Sequence, residues 1–510
     1  MAISFPDALP PQQASLTVSQ DSAQAVLTFR GFRIHLSGAA PVPQATLQRA
    51  IERAEDLSAA LRVLSSEYQR AGYPAARLYY MLAGEDLFVA ADLGRVTEVV
   101  APEPLVDYFS SVPAHRPLQD TDLEPARILG SLHADRAGLA LTSVLEPGIE
   151  GSVLRLQSDE PEVAAARLRA EINNYGNRFT GRHFFELDAR RGLSSGDEFN
   201  AGWKTSLSAL NEDRRADEYN DYRAGWSRVT PAGVFGVAVS AADYAFDVAR
   251  LLPGASAPAE GRIVQAETAW LYPLIAGQGY RWLVDARLDY TYKKSNLRDG
   301  AVLQKEEYAS AEGGLSFIWE TDWFGAPATL ETGAQIRRGL GDEDEADAAN
   351  LGYLLLRPRL TTGVSLDDHW DLQLDTEVQL TDDTVPEQSQ WVLGGPERLA
   401  AYLPGIAVGD SGGWGRLQLT YFSGGSLLGI EWIPRAFVEY GYARYETPMA
   451  EIRPAGTVEL SDAGAQLDLR YRDWLRGSIG VARGLGESGI SAARADEGKA
   501  NFYFRLVATF

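Results

Sequence analysis

The five residues Gly409-Asp410-Ser411-Gly412-Gly413 fit both a serine-protease signature and the Gly-x-Ser-x-Gly elbow of serine hydrolases. A serine so placed attacks a carbonyl only if a histidine takes its proton, and the elbow needs a buried strand before it and a helix after it. Neither condition is met. A proline-containing loop precedes Ser411, and the alternating stretch Trp414 to Phe422, which reads as a strand, follows it. His35, His115 and His133 lie in the amino-terminal part, while His183 and His369 fall on separate strands of the second part. Cysteine is absent, which removes disulfides and thiolate metal sites, and neither a phosphate loop nor a metal-ligand spacing occurs. The chain reads as a non-enzyme, with no catalytic residue, metal or cofactor to assign.

The charged residues point elsewhere. Seventy acidic against 47 basic side chains give a net charge of −23, the wrong sign for a nucleic-acid backbone. Beyond about residue 163 the charges alternate with apolar residues. From Tyr280 to Tyr292 one face carries Tyr280, Trp282, Val284, Ala286, Leu288, Tyr290 and Tyr292, and the other, nearly all polar or charged, carries Arg281, Leu283, Asp285, Arg287, Asp289 and Thr291. From Trp370 to Leu380 the same pattern sets Asp371, Gln373, Asp375, Glu377 and Gln379 opposite Trp370, Leu372, Leu374, Thr376, Val378 and Leu380. A soluble sheet with one wet face also alternates. Aromatic residues at strand ends, and strands of about 10 to 14 residues recurring to the end of the chain, favour a lipid band between two interfaces.

No run of about 18 apolar residues exists, so no transmembrane helix is expected. Sheet edges are not tolerated in hydrocarbon, so the strands must close into a barrel. The alternating segments number about 16, an even count as bacterial barrels require. Short connections (Ser194 to Asp197, Thr230 to Gly233, Ala276 to Gln278, Ser423 to Ser426) are expected on the periplasmic side. Longer polar ones (Asn211 to Asp217, Leu252 to Gly261, Ser295 to Lys305, Gly341 to Ala349, Gly486 to Gly498) are expected outside the cell. The chain ends on Phe502, Phe504, Leu506, Ala508 and Phe510 along one face, a lipid-facing strand closed by an aromatic residue.

Ahead of the barrel the period changes. Residues 1–25, with Pro6, Pro10 and Pro11, read as a loose arm. Within 26–100, Val26 to Leu36 reads as a strand. Helical spacing follows at Leu47, Ala50, Ile51 and Ala54, then at Leu57, Leu61, Leu64 and Tyr68 up to Gly72, and two strands lie around Gly84. Within 101–162 a second α+β module is expected, with a helix near Leu123 to Leu132 and strands near Leu139 to Leu145 and Ser152 to Gln157. Residues 163–510 form the barrel. The fold class is mainly β, a 16-stranded antiparallel transmembrane barrel after two α+β domains.

Particular motifs resemble those of the two-partner secretion transporters, the hemolysin and filamentous-hemagglutinin exporters of the POTRA-barrel superfamily. Gly31-Phe32-Arg33-Ile34 and Gly72-Tyr73-Pro74-Ala75-Ala76-Arg77-Leu78-Tyr79 resemble a first POTRA domain. Leu145-Glu146-Pro147-Gly148 and Gly151-Ser152-Val153-Leu154 resemble a second. Asn174, Gly176, Arg178, Thr180 and Gly181 match the barrel-entry motif, followed by Gly196-Asp197 at the first periplasmic turn. Gly394, Gly395, Gly409 and Asp410 match the long sixth extracellular loop, here 384–412, which the resemblance implies folds back into the barrel.

In that family an arginine at the loop tip pairs with an acid in a Phe-x-Asp-x-Gly strand. This chain reads Arg398-Leu399-Ala400-Ala401-Tyr402, with Ala400 in the arginine's place, and Phe437-Val438-Glu439-Tyr440-Gly441, with glutamate for aspartate. Alternation turns Phe437, Glu439 and Gly441 inward. The expectation is a loop-to-lumen lock in which Arg398 supplies the displaced charge to Glu439, alongside Tyr402; a surface arginine and a hydrated glutamate are the plainer alternative.

The resemblance implies export of an unfolded, β-helical partner protein from the periplasm to the cell surface. The partner binds the POTRA domains, and its folding outside prevents return. It also implies a bacterial outer-membrane location, contact with outer-membrane lipid, assembly by the barrel assembly machinery through Phe510, and a monomer. An insertase and a passive porin are the alternatives. Met1 to Gln24 lacks a basic segment followed by an apolar one, so a signal peptide is expected to have been removed, and no plug helix is expected there.

Overall fold

The computed structural model describes residues 3–14, 23–38, 41–113, 115–148, 150–158, 166–177, 180–210, 218–247, 258–297, 300–341, 349–447 and 455–510. From Ala166–Asn173 to Phe502–Thr509 the chain runs up and down as a closed antiparallel barrel of 16 strands, with the short ladder Ser426–Leu427 at one turn. Closure is direct: the first strand pairs with the last from Asn173↔Arg505 to Arg169↔Thr509. Leu288, Val438, Tyr440, Leu506 and Phe510 are exposed on the outside, whereas Thr291, Lys293 and Glu439 are buried inside. The wall is an inverted core, apolar outward and polar inward, as lipid demands.

Strand lengths depart from the even 10 to 14 residues expected. The first and last strands have 8 residues each, and Pro258–Gly277, Tyr280–Leu297 and Val302–Trp323 have 20, 18 and 22. About 9 to 11 residues cross a bilayer, so this side of the wall stands well beyond the lipid. The connection expected over Ser295 to Lys305 is largely ladder, since Asn296 pairs with Val302. The turn expected at Ser423 to Ser426 falls later, at Leu428 and Gly429 (φ 55° and 77°).

The first α+β module has the sheet order Gln12–Gln13, Arg77–Ala83, Asp86–Asp92, Phe32–Gly38, Ala25–Phe29. Helices Gln44–Glu52 and Leu57–Arg70 cover it, the second capped by Asp56, which accepts from the Ala59 N–H at 2.7 Å. Leu47, Ile51, Leu64, Leu78 and Leu87 are fully buried between the layers, each contributing about 2 kcal/mol. The single strand expected over Val26 to Leu36 is a hairpin turning at Arg30-Gly31 (φ 46° and 93°). Apolar alternation runs through Leu27, Phe29, Ile34 and Leu36 on both arms and hides the turn.

The second module pairs Val96–Val100 and Leu141–Pro147 with opposite sides of Ser152–Ser158, under helix Asp120–Arg136. This corrects the expected boundary at residue 100: Val96–Val100 belongs to the second sheet, through pairs such as Val96↔Ser152. The arm expected to be loose is packed. Ile3 and Leu9 are buried in the second module's core, and Gln12–Gln13 joins the first module's sheet.

Helix Asp120–Arg136 rests on the barrel's periplasmic turns. Arg136 donates to Gly196 O (2.9 Å) and Ser227 Oγ (2.8 Å), His133 Nε2 meets Ser194 O (2.9 Å), and Asp120 accepts from the Gln278 N–H (2.9 Å). A Cβ on Gly192 would lie 2.1 Å from Arg136 O. Gly192→Ala is therefore expected to loosen this joint by about 1–3 kcal/mol, read as faster hydrogen exchange in Asp120–Arg136 with an unchanged barrel melting point. Gly313→Ala, whose Cβ would meet nothing within 4 Å, is the control; equal exchange in the two variants would contradict the tight joint.

Candidate functional site: a loop seated in the barrel lumen

Between strands Trp370–Gln379 and Ser411–Tyr421 the chain leaves the wall, turns into the lumen and returns. A short hairpin, Trp391–Leu393 with Ala407–Gly409, carries the tip. Trp391, Leu393, Leu399, Tyr402 and Ile406 pack against Phe437, Leu460, Ala482 and Tyr503 of the wall, an apolar cluster on the inner face of the barrel. Gly441 leaves room for it: a Cβ there would lie 3.0 Å from Leu393 and 3.1 Å from Leu399. Gly394 and Gly395 shape the tip, donating to Arg398 O (2.7 Å) and Tyr402 O (2.7 Å).

The tip then offers its main chain to two carboxylates. The Leu399 and Ala400 N–H groups donate to Glu439 at 3.1 and 2.9 Å, and the Ala401 N–H donates to Asp462 at 2.8 Å. Leu399 has φ 70°, the left-handed conformation that turns successive N–H groups to one side and makes an anion-binding nest. Glu439 and Asp462 are paired residues of adjacent strands, each almost wholly buried. Arg416, paired with Glu439 on the preceding strand, supplies positive charge: its guanidinium lies 2.9 Å from Glu439, donates to Pro396 O (2.6 Å) and covers the Phe437 ring (4.7 Å). Trp414 Nε1 adds a third kind of donor to Glu439 at 2.9 Å.

This corrects the expected pairing of Arg398 with Glu439. Arg398 binds Glu377 at 2.6 Å and stacks over Trp391 at 4.2 Å, with both charged side chains about a third exposed. Tyr402 is fully buried and donates to Glu487 (3.1 Å). Arg416 escaped the sequence reading because its register depends on the turn. Placed at Ser423 to Ser426, that turn slides Arg416 several residues away from Glu439. Lumen-facing alternation at Trp414, Arg416 and Gln418 was the available signal.

At the loop's base, Asp410 is fully buried and accepts from the Val385 and Glu446 N–H groups, both at 3.0 Å, with Gly409 packed on Arg444. Ser411 donates to Thr381 O (3.0 Å) and accepts from Thr381 N–H (3.2 Å), a structural pairing at the start of a strand. The barrel-entry residues sit at the seam. Asn174 donates to Phe502 O (3.1 Å) and accepts from Phe504 N–H (2.7 Å), lengthening the short closure. Gly176 donates to Arg182 O (3.0 Å), and Thr180 donates to Asn177 Oδ1 (2.8 Å) beside Gly181; Arg178 lies outside the described residues. Phe510 is exposed and stacks on Trp474 at 6.2 Å.

Residues 150–461 match the family model of haemolysin secretion/activation protein ShlB/FhaC/HecB. No curated protein matches the chain in sequence. Among solved structures the chain is similar to CdiB from Escherichia coli (TM-score 0.71, 16% identity, 97% of this chain and 93% of that one). CdiB from Acinetobacter baumannii gives TM-score 0.64 and 14% identity over 100% and 95%. BamA from Haemophilus ducreyi lacking POTRA domains 1–3 gives 0.51 and 11% over 94% and 99%. At these identities the structural likeness carries the fold, and the family match carries the kinship.

The two loop arginines differ in weight. Removing Arg416 strips a buried carboxylate of its counter-charge, a loss of about 3–5 kcal/mol. Removing Arg398 breaks a partly exposed pair worth about 0.2–1 kcal/mol. Arg416→Ala is expected to raise single-channel conductance and protease cleavage within 391–409, and Arg398→Ala to stay near wild type. The reverse order would refute the assignment.

Proposed function

The chain belongs to the haemolysin secretion/activation protein family, and from that membership we infer that it exports an extended partner protein from the periplasm to the cell surface. It is an outer-membrane secretion transporter that handles a secreted partner. The observation that carries the reading is a lumen part-filled by a loop anchored to one wall, Glu439 and Asp462, with α+β modules at the periplasmic mouth. A pore for small solutes has no use for such modules.

In this reading the two amino-terminal modules act as POTRA domains and take the unfolded partner before it enters the lumen. Arg416, Glu439, Asp462 and the tip amides hold the loop inward, and the passing chain displaces the loop. No nucleotide is available outside the inner membrane, so progress comes from folding of the emerging partner, β-helical as the family resemblance implies. The transporter works as a monomer in outer-membrane lipid, delivered there by the barrel assembly machinery through its Phe510 end.

Deleting residues 26–160 separates docking from conduction. The expected result is loss of partner secretion with ion conductance retained in planar bilayers. Unchanged secretion would reject the docking role, and a barrel that conducts nothing in either form would reject the channel.

A further inference from the structure

We propose that Arg262, Lys294 and Lys305 form a row on the outer wall of the barrel that binds the phosphates of a bis-phosphorylated glycolipid in the outer leaflet. The proposal goes beyond export and rests only on the barrel's place in the outer membrane.

Strand register sets the three cations side by side. Arg262 pairs with Lys294, and Lys294 with Lys305, across the adjacent strands Pro258–Gly277, Tyr280–Leu297 and Val302–Trp323. Alternation turns the row outward: Thr291, Lys293 and Ser295 are buried on the inner face, while Leu288 and Tyr290, on the face of Lys294, are exposed. Like charges directly opposite one another on a sheet repel. The chain nevertheless gathers three here while carrying a net charge of −23 and only five lysines, two of them in this row. An anion seated against the row removes the repulsion.

The neighbouring acids do not cancel it. Asp243 accepts from Arg262 Nε (2.6 Å) and Nη2 (3.2 Å), and Glu307 lies 3.4 Å from Lys305 while accepting from the Tyr290 hydroxyl (2.9 Å). Both pairs are about half exposed, and such pairs hold weakly. Lys294, between them, has no carboxylate partner among the described residues.

The row also stands at the right height. A crossing takes about 9–11 residues. On the middle strand that length runs from Trp282, beside Phe317 at 4.6 Å, to the aromatic pair Tyr290 and Tyr292 at the outer interface. Lys294 is the next residue facing out, level with lipid headgroups. Strands lie about 4.8 Å apart, so the row spans about 10 Å. That width suits two phosphates on one sugar headgroup better than the single phosphate of a diacyl phospholipid. Ammonium groups, as point charges, accept a phosphate in any orientation.

Full-length protein in neutral detergent is titrated with lipid A, a bis-phosphorylated glucosamine lipid, and bound lipid is counted by native mass spectrometry. Lys294→Gln should weaken binding about five-fold, the factor one basic side chain gives at an anionic surface. Arg262→Gln, Lys294→Gln and Lys305→Gln together should weaken it about a hundred-fold. Glu307→Gln keeps an acceptor for Tyr290, removes the negative charge beside Lys305 and should tighten binding. Arg470→Gln, which breaks a similarly exposed pair with Glu431 at the periplasmic end, is the control and should bind as wild type does. The opposite signs of Lys294→Gln and Glu307→Gln decide the matter even if the triple variant folds poorly. Equal affinity in these two and the wild type would overturn the row. Phosphatidylglycerol or inorganic phosphate binding as tightly as lipid A would overturn the glycolipid.

Discussion

Three successive main-chain N–H groups and one guanidinium meet two buried carboxylates inside a barrel, and the arrangement of the lumen depends on that meeting. A carboxylate taken out of water is costly unless charge and hydrogen bonds replace its solvation. The charge on Glu439 is compensated by Arg416 and the loop tip together, so the wall recruits the loop as much as the loop fills part of the lumen. Main-chain donors suit this task, because they bind firmly when the nest forms and return to water when it opens.

The barrel makes such a device possible. Lipid on the outside fixes which residues point outward, leaving every second residue to face the lumen. Phe437, Glu439 and Gly441 thereby fall on one line, offering a ring, a charge and a gap to the same loop. At the periplasmic end the helix Asp120–Arg136 joins the second module to the turns at Ser194, Gly196 and Gln278, and the arm ties that module to the first. The amino-terminal modules and the barrel are held in one continuous contact network.

Much of this was legible in the amino-acid order. Strand alternation, the inward face of Glu439 and the lipid-facing end at Phe510 follow from period two and a lipid boundary. What stayed hidden depended on register or on the main chain. Arg416 meets Glu439 because the hairpin turns at Leu428-Gly429, and a leucine is a weak turn signal. The tip's grip comes from amides, which every residue carries, so Ala400 reads as a loss where the structure makes it a donor. Val96–Val100 joins the second sheet by a parallel crossover that no local pattern announces. The arm's prolines suggest looseness, yet Ile3 and Leu9 supply core side chains.

The most direct test of the seated loop uses a disulfide between its tip and the wall, Leu399→Cys with Gly441→Cys, positions chosen because a Cβ on Gly441 would stand 3.1 Å from the Leu399 Cδ1. The bond is expected to form in intact outer membranes and to stop partner secretion until reduced. Failure of the bond to form, or secretion that continues with it in place, would contradict a lumen gated by this loop.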